Sequence, residues 1–245
     1  MFIPAEHLKS QKYLNEIQEW TNQQKMILNS KKTKTMIFNF SDNYQFTTSL
    51  KLGDDPIEVV KKHKLLGLII SDDLKWDDNT DYLVKRAYAR LEILRKMSSL
   101  TTSVQDMKII YIQYVRSILE QSCVVWHSSI TVENSLDIER VQRCAVRIIL
   151  GKNYTTYEES RKKINLESLE TRRARLCNKF AKNCLQNDKT KNMFPLNLKK
   201  HNMESRNSEK FKVTFARTDR LKDSSIIYMQ KELNKSELNQ KRKPG

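Results

Sequence analysis

Glycine and proline, which end helices and form tight turns, are scarce in this chain, with four residues of each among 245. A β-sandwich or barrel needs a turn signal at roughly every 8–12 residues, so this scarcity disfavours both folds. Long stretches rich in Leu, Ile, Lys, Arg and Glu favour helix instead. Because 38% of the residues are hydrophobic, the chain can bury a modest core. We therefore expect a mainly helical protein.

The spacing of apolar residues changes twice along the chain. Residues 5–28 have loosely helical spacing, which predicts one amphipathic helix. Short apolar or alternating segments, bounded by turn residues, then predict strands of a small antiparallel sheet at residues 35–40, 45–52 and 63–70. Helical spacing returns after Trp76 and predicts helices at residues 83–97, 103–125, 132–150 and 166–185.

The order of these elements predicts an α+β fold that is mainly helical, with a small antiparallel sheet followed by a helical bundle and a basic tail. The expected domains are residues 1–76 and residues 77–187, followed by a partly irregular extension over residues 188–245. One last helix is expected in that extension at residues 224–233. Ser103 followed by Asp106 predicts a capping box, and Gly151 predicts the end of the helix at residues 132–150.

The helix at residues 166–185 is expected to have an apolar inner face and a basic outer face. The inner face is formed by Leu169, Leu176, Phe180 and Cys184. The outer face carries Arg172, Arg173, Arg175, Lys179 and Lys182. Such a run is often an ordinary solvated face, and it can also contact phosphates.

The formal net charge is +16, and it is unevenly distributed. Residues 1–159 hold 22 basic and 20 acidic side chains, whereas residues 160–245 hold 23 and 9, an excess of +14. A basic excess of this size favours polyanionic partners, namely RNA, DNA or an acidic membrane surface. A basic tail that is merely solvated is the alternative.

Four cysteines lack the paired spacing of a structural zinc site and are expected to pack as small apolar residues: Cys123, Cys144, Cys177 and Cys184. His127 lies four residues after Cys123, but two ligands do not make a metal site. The amino terminus lacks an apolar signal core, and no run approaches the roughly 20 apolar residues of a membrane span. We expect a protein of the cytosol or nucleus without a membrane partner.

Four segments occur in a specific order along the chain: LNEIQEWTNQQKMILNSKKTKTMIF at residues 14–38, KLLGLIISDDLKW at 64–76, VRSILEQSCVVWHSSIT at 115–131 and IERVQRCAVRIILG at 138–151. Taken in this order, they resemble the reverse transcriptases of non-LTR (LINE-like) retrotransposons. The first resembles the segment that follows the catalytic aspartates, the second resembles the primer-grip hairpin and the turn after it, and the last two resemble the helical thumb. The resemblance covers most of residues 8–185.

This resemblance implies that residues 1–76 are a palm remnant with the primer grip and that residues 77–187 are thumb-like. Lys32, between Lys31 and Lys34, would lie near the phosphates of an incoming nucleotide, although a solvated loop also explains this cluster. The hairpin at Leu66 and Gly67 would press on the primer backbone, since glycine allows close approach. The helices would hold RNA, DNA or an RNA–DNA hybrid through phosphates, without sequence preference.

Polymerisation in this family needs two Mg²⁺ ions held by an early Asp and by an aromatic-x-Asp-Asp turn. We expect both elements to lie before Met1, so that the chain binds nucleic acid without a cofactor of its own and is inactive alone. Three acidic pairs could imitate the site: Asp54–Asp55, Asp72–Asp73 and Asp77–Asp78. They follow the Lys-Thr segment instead of preceding it, and Asp beside Gly or Ser is common turn chemistry.

Two other functions remain open from the sequence. The first is a non-catalytic, basic, helical RNA- or DNA-binding module. The second comes from residues 57–100, which also resemble the amino-terminal segment of AlkB-like demethylases. Those dioxygenases bind iron through a His-x-Asp motif, which none of the four histidines provides: His7, His63, His127 and His201. Trp20, Trp76 and Trp126 could stack on bases, but their apolar neighbours favour core packing.

Overall fold

The structure is a computed structural model that describes residues 5–40, 49–100, 102–196 and 210–241. These residues form helices and short two-stranded sheets, which confirms the mainly helical α+β fold expected from the sequence. The chain divides into two compact units, Met1–Lys75 and Trp76–Gly245. The three-part division at residues 76 and 187 stays a prediction.

The first unit contains helix α1 (Ala5–Gln23) and short paired strands. β1 (Lys34–Thr35) pairs in parallel with β4 (Glu58–Val59), and β2 (Lys51–Leu52) pairs antiparallel with β3 (Asp55–Pro56). The longest pairing is the antiparallel hairpin of β5 (Lys62–Leu65) and β6 (Leu68–Ser71). Within the described residues the expected sheet is thus split into two-stranded pieces, partly because Pro56 has no N–H to extend a ladder. Residues 45–48 of the second predicted strand lie outside them.

Helix α1 turns a polar side inward and an apolar side outward. The Gln11 side chain donates to the carbonyl of Lys51 and accepts from its N–H, at 2.8 and 2.9 Å, and Thr21 is buried. The opposite side, more than half exposed, is the α1 apolar face, formed by Tyr13, Ile17 and Trp20. The buried apolar side chains in the described part of this unit are Leu52, Ile57 and Leu68. This core is small for 75 residues.

The second unit is helical. Its helices are α2 (Asp77–Ser98), α3 (Val104–Ile110), α4 (Ser117–Leu119), α5 (Cys123–Trp126), α6 (Val132–Leu150), α7 (Tyr157–Lys163), α8 (Leu169–Leu185), α9 (Asp219–Lys222) and α10 (Ser225–Lys241). A π-helical segment, Tyr111–Arg116, joins α3 to α4. None of the helices in the described part of the chain has the length and apolar character needed to cross a bilayer.

Helices α2 and α6 pack together and supply much of the core of the second unit. The buried residues of the two helices include Leu83, Ala87, Leu91, Leu94, Ile138, Val141, Ala145 and Ile149. Each fully buried leucine or isoleucine contributes about 1.5–3 kcal/mol relative to an exposed one. The predicted ends are confirmed: the Ser103 hydroxyl accepts from the N–H of Asp106 at 3.1 Å, and Gly151 ends α6 with a φ of 52°.

The helix predicted over residues 103–125 is not continuous. Ser122 has a left-handed backbone with a φ of 52°, and the chain restarts as α5. The restart buries Cys123 and Trp126 completely or nearly so, and the Trp126 indole donates to the carbonyl of Gln121 at 2.9 Å. These contacts compensate for the roughly 1–2 kcal/mol that a left-handed residue other than glycine costs.

The carboxy-terminal helix α10 is longer than the segment predicted at residues 224–233, and it packs against α8. A cluster of buried residues joins them: Cys177, Ala181, Cys184, Phe194, Phe211, Met229 and Leu233. Three of the four cysteines are buried with free thiols, as expected for small apolar residues, and Cys144 is partly exposed. The described residues after 209 are therefore part of the second unit.

Candidate nucleic-acid interface

The lysine loop of the first unit, residues 29–34, is fixed by Asn29. Its side-chain oxygen accepts from the N–H of Lys32 at 3.1 Å, and its carbonyl accepts from the N–H and the hydroxyl of Thr33 at 3.0 and 2.9 Å. This Asx-type turn leaves Lys31 and Lys32 exposed to solvent. Lys34 lies in β1, and its ammonium group pairs with a carboxylate. Lys31 and Lys32 form no ion pair with another described residue.

The partner of Lys34 is Glu58, which lies opposite it in β4. The Lys34 side chain is 24% exposed, compared with 66% for Glu58. An ion pair at the surface contributes little stability, but it neutralises the cation. Of the three lysines predicted for this site, Lys31 and Lys32 are the ones placed to meet a phosphate.

The hairpin of β5 and β6 closes with a two-residue turn at Leu66 and Gly67. Both residues have positive φ, 49° and 84°, which is the pattern of a type I′ turn. Glycine adopts this conformation freely, whereas leucine is strained by roughly 1 kcal/mol. The Leu66 side chain is 92% exposed. The single strand predicted at residues 63–70 is therefore wrong, because the chain turns back at Leu66 and Gly67, whereas the hairpin that the resemblance implies is present. The turn presents the apolar side chain of Leu66 next to a glycine.

The basic residues of α8 divide into paired, buried and open groups. Arg172 donates to Glu120 at 2.8 and 3.3 Å, with the Nε of Arg116 at 3.2 Å from the same carboxylate but not aimed at it. Arg175 pairs with Glu167 at 2.9 Å. Lys179 and Lys182 are exposed. Arg172 and Arg175 thus form ion pairs within the fold, and the two lysines remain as cations on the surface.

Arg173 is fully buried, so the prediction that it lies on the outer surface is wrong. Its guanidinium donates to Ser135 Oγ at 2.9 Å and to His127 Nδ1 at 3.4 Å, and it lies 5.7 Å from the ring centroid of Trp126. Its Nη1 has no hydrogen-bond partner among the described residues. Burial lowers the pKa of this guanidinium. The buried stripe of α8 therefore includes an arginine that cannot reach a bound polyanion.

The neighbouring His127 is neutral at physiological pH. Burial, and then the charge of Arg173, lower its pKa to about 4. Because its Nδ1 accepts from Arg173, the proton of the neutral ring is on Nε2, which lies 3.4 Å from the hydroxyl of Tyr228. His127 thus connects α8 and α10, and it is a structural residue instead of a metal ligand beside Cys123.

Helix α6 carries exposed arginines that the sequence analysis did not single out. Arg143 lies 5.2 Å from the ring centroid of Tyr157, and Arg147 lies 5.1 Å from that of Tyr154. Arg140, one turn earlier, pairs with Glu133 at 2.9 Å and with Asp137. The spacing 140, 143, 147 places all three on one side of the helix, and this spacing was the available signal.

One aspartate of each acidic pair is hydrogen-bonded within the fold. Ser30 donates to Asp55 at 2.8 Å, and Asp77 accepts from Asn134 at 2.6 Å. Asp73 accepts from the hydroxyl of Ser71 at 2.7 Å and from the N–H of Lys75 at 3.0 Å, and these bonds lower its pKa. Within the described ranges, no three His, Cys, Asp or Glu side chains lie close enough together to hold a metal ion.

The tryptophans differ from one another in exposure. Trp76 and Trp126 are buried, at 7% and 0% exposure, as expected for core residues. Trp20 is 55% exposed, so the prediction of core packing is wrong for this residue. The difference arises because α1 turns Gln11 and Thr21 inward, on a different side from Trp20.

A scan against protein-family models and searches of curated proteins and of solved structures found no match for this chain.

Proposed function

We propose that this chain is the part of a non-LTR retrotransposon reverse transcriptase that follows the catalytic aspartates, and that it binds template–primer nucleic acid without extending it. The observation that carries the proposal is the hairpin at residues 62–71. It occurs where the resemblance to the family expects the primer grip, and its turn is exposed at Leu66 and Gly67. The lysine loop precedes it and the helical unit follows it, in the order of the family.

The hairpin turn has features that suit contact with a nucleic-acid backbone. Gly67 has no Cβ, so a sugar or phosphate could approach its peptide group closely. Leu66 offers an apolar side chain to the face of a sugar. Backbone strain of the kind held at Leu66 is often found at functional sites. Lys31 and Lys32 supply exposed positive charge in the same unit.

The α1 apolar face gives separate support. Large apolar side chains that are exposed in a contiguous set usually mark a contact with other protein. In the proposed polymerase, this face would pack against the rest of the palm. The small core of the first unit agrees with this role, because one part of a larger core buries little apolar surface by itself.

The proposal includes no polymerisation by this chain. Two-metal transfer needs carboxylates that converge on both ions, and in the described residues Asp55, Asp73 and Asp77 are each hydrogen-bonded to a neighbour in the fold. Mg²⁺ would belong to the intact enzyme of the family. The protein would supply the grip on the duplex by neutralising phosphates.

The test is fluorescence anisotropy with the full chain and three labelled probes: a blunt DNA duplex, an RNA–DNA hybrid and a hybrid with a recessed primer end. We expect binding without sequence preference, weakening steeply with salt, and tighter binding to the recessed end. Replacing Lys31 and Lys32 by Gln should reduce that preference. The control K12Q/K191Q removes two lysines that are already paired with carboxylates, and it should leave the preference for the recessed end unchanged.

Two results would overturn the proposal. The first is no binding to any probe at low salt. The second is primer extension in Mg²⁺ or Mn²⁺, which would place a catalytic metal site in this chain. Equal binding to blunt and recessed probes would favour the second candidate, a basic helical module that binds RNA or DNA with no relation to a primer. The observation behind that alternative is the open arginines of α6.

A further inference from the structure

The arginine–tyrosine face is the set Arg143, Arg147, Tyr154 and Tyr157, at the carboxy-terminal end of α6 and the segment after it. Each arginine lies over a tyrosine ring, at 5.2 and 5.1 Å from the ring centroids. The arginines are four residues apart, so they lie on the same side of the helix, about 6 Å from each other along its axis. Both arginines are exposed, and both tyrosines are partly buried.

These two arginines differ from the other arginines near them in having no carboxylate. Arg140 pairs with Glu133 and Asp137, Arg161 pairs with Glu158, and Arg172 pairs with Glu120. In the described part of the chain no acidic side chain forms an ion pair with Arg143 or Arg147. Their charge is therefore free to bind an anion, and no internal ion pair has to break first.

The tyrosines hold the arginines in place. The Tyr157 hydroxyl donates to Glu139 and accepts from Gln142, the latter at 2.9 Å, so the ring is fixed. Arg143 and Arg161 both approach this ring, at 5.2 and 5.9 Å from its centroid. A guanidinium that rests on a fixed ring loses less conformational freedom on binding, and it keeps its N–H edge available.

The arrangement favours contact with phosphates over stacking on bases. A tyrosine stacks on a base only if one face of its ring is open. Arg143 and Arg161 both lie near the ring of Tyr157, and Arg147 lies near that of Tyr154. We therefore expect the face to bind duplexes and single strands alike through their phosphates.

We propose that the arginine–tyrosine face is a phosphate-binding surface that contacts the nucleic-acid backbone through Arg143 and Arg147. The inference rests on the proposed function and locates its phosphate contacts on α6, because Arg172, Arg173 and Arg175 of α8 are engaged in the fold. A helix that binds a membrane surface combines basic side chains with apolar ones that enter the lipid. The exposed aliphatic side chains of α6, Val132 and Leu136, lie in its first two turns, away from these arginines. The partner is therefore nucleic acid instead of an acidic membrane.

The experiment measures how the affinity for a 20-base-pair DNA duplex depends on salt. The variant R143Q/R147Q removes two phosphate contacts, so the slope of log K against log salt should become shallower by about 1.8. Between 50 and 200 mM salt, this difference corresponds to about a twelvefold smaller loss of affinity. R143K/R147K keeps both charges and should keep the slope of the wild type.

The matched control is R95Q/R140Q, which lowers the net charge by the same amount but removes arginines that are already paired with Glu92, Glu133 and Asp137. Its slope should stay that of the wild type. Circular dichroism checks that each variant is folded. A single strand of 20 nucleotides should lose affinity in R143Q/R147Q to a similar extent as the duplex, because no base stacking is involved.

Several outcomes would overturn the inference while the proposed function stands: an unchanged slope in R143Q/R147Q, an equal decrease in the control, or a loss confined to single strands. A loss of binding to vesicles of phosphatidylserine, with duplex binding unchanged, would assign the face to a membrane and would also overturn it. No binding of duplex by the wild-type protein would instead reject the proposed function and the inference together.

Discussion

Gln142 is fully buried in α6 and connects three other segments of the second unit. Its Oε1 accepts from the Tyr111 hydroxyl at 2.7 Å. Its Nε2 donates to the Tyr157 hydroxyl and to the carbonyl of Glu167, both at 2.9 Å. Tyr111 is also fully buried, so water cannot replace its bond to Gln142. We expect the variant Q142L, which replaces glutamine by an apolar residue of similar volume, to destabilise this unit strongly.

The magnitude follows from the groups that lose their partners. In Q142L the hydroxyl of Tyr111 and the carbonyl of Glu167 lose their partner, whereas Tyr157 keeps its bond to Glu139. An unpaired buried group costs about 1–3 kcal/mol; the fully buried Tyr111 hydroxyl contributes about 2 kcal/mol of this kind, and the carbonyl of the exposed Glu167 about 1 kcal/mol. The added apolar surface of leucine recovers about 1 kcal/mol. The free energy of unfolding should therefore fall by about 2 kcal/mol, which for a unit of this size lowers Tm by about 4–8 °C.

Urea denaturation followed by circular dichroism at the helix signal measures this change. The double variant Y111F/Q142L removes the orphaned hydroxyl and should be more stable than Q142L alone, because removing both partners costs less than removing one. R140Q, an exposed position on the same helix, should change stability by less than about 0.5 kcal/mol. The reasoning is refuted if Q142L unfolds within about 0.5 kcal/mol of the wild type.

Two further predictions concern ion pairs. Glu120→Gln should lower the free energy of unfolding by about 2 kcal/mol, because Arg172 and Arg116 lose a largely buried carboxylate. As a control, Glu133→Gln changes an exposed carboxylate and should lower the free energy of unfolding by less than about 0.5 kcal/mol in the same urea assay. The pKa of Asp73 is lowered in the folded state, mainly by Ser71, so the stability it contributes is present above its unfolded pKa and is lost as pH falls through the folded pKa. The difference in urea midpoint between the wild type and Asp73→Asn should therefore shrink from pH 5 to pH 2, and a constant difference would contradict this role.

Local rules predicted those features that depend on neighbouring residues in the sequence. Helix α6 begins after Thr131 and ends at Gly151, as its cap residues and apolar spacing indicate. The capping box at Ser103 is local in the same way. Each of these ends is decided within about four residues, so sequence alone is sufficient. At residues 63–70 the local pattern instead predicted one strand, and the hairpin with its turn at Leu66 and Gly67 was implied only by the resemblance.

Features that depend on distant partners were missed. Arg173 occupies a position of the buried stripe of α8, and only the presence of Ser135, His127 and Trp126 makes its burial tolerable. The break at Ser122 likewise depends on where Trp126 packs. Of the candidate site, Lys31, Lys32, Lys179 and Lys182 are exposed as predicted. Among the arginines of α8, Arg173 was misjudged, whereas Arg175 is exposed as predicted. The ion pairs of Arg172 and Arg175 could not be read from local sequence, because their carboxylate partners lie 52 and 8 residues away.

The outward position of Trp20 makes the protein able to report on its own surroundings. An indole that is 55% in contact with water emits at longer wavelength than the enclosed indoles of Trp76 and Trp126. Any molecule that covers α1 would displace that water, and the emission of the protein would move toward the blue without an attached dye. The α1 apolar face, which is left exposed in the first unit, thus also provides a fluorescence signal for any molecule that binds to it.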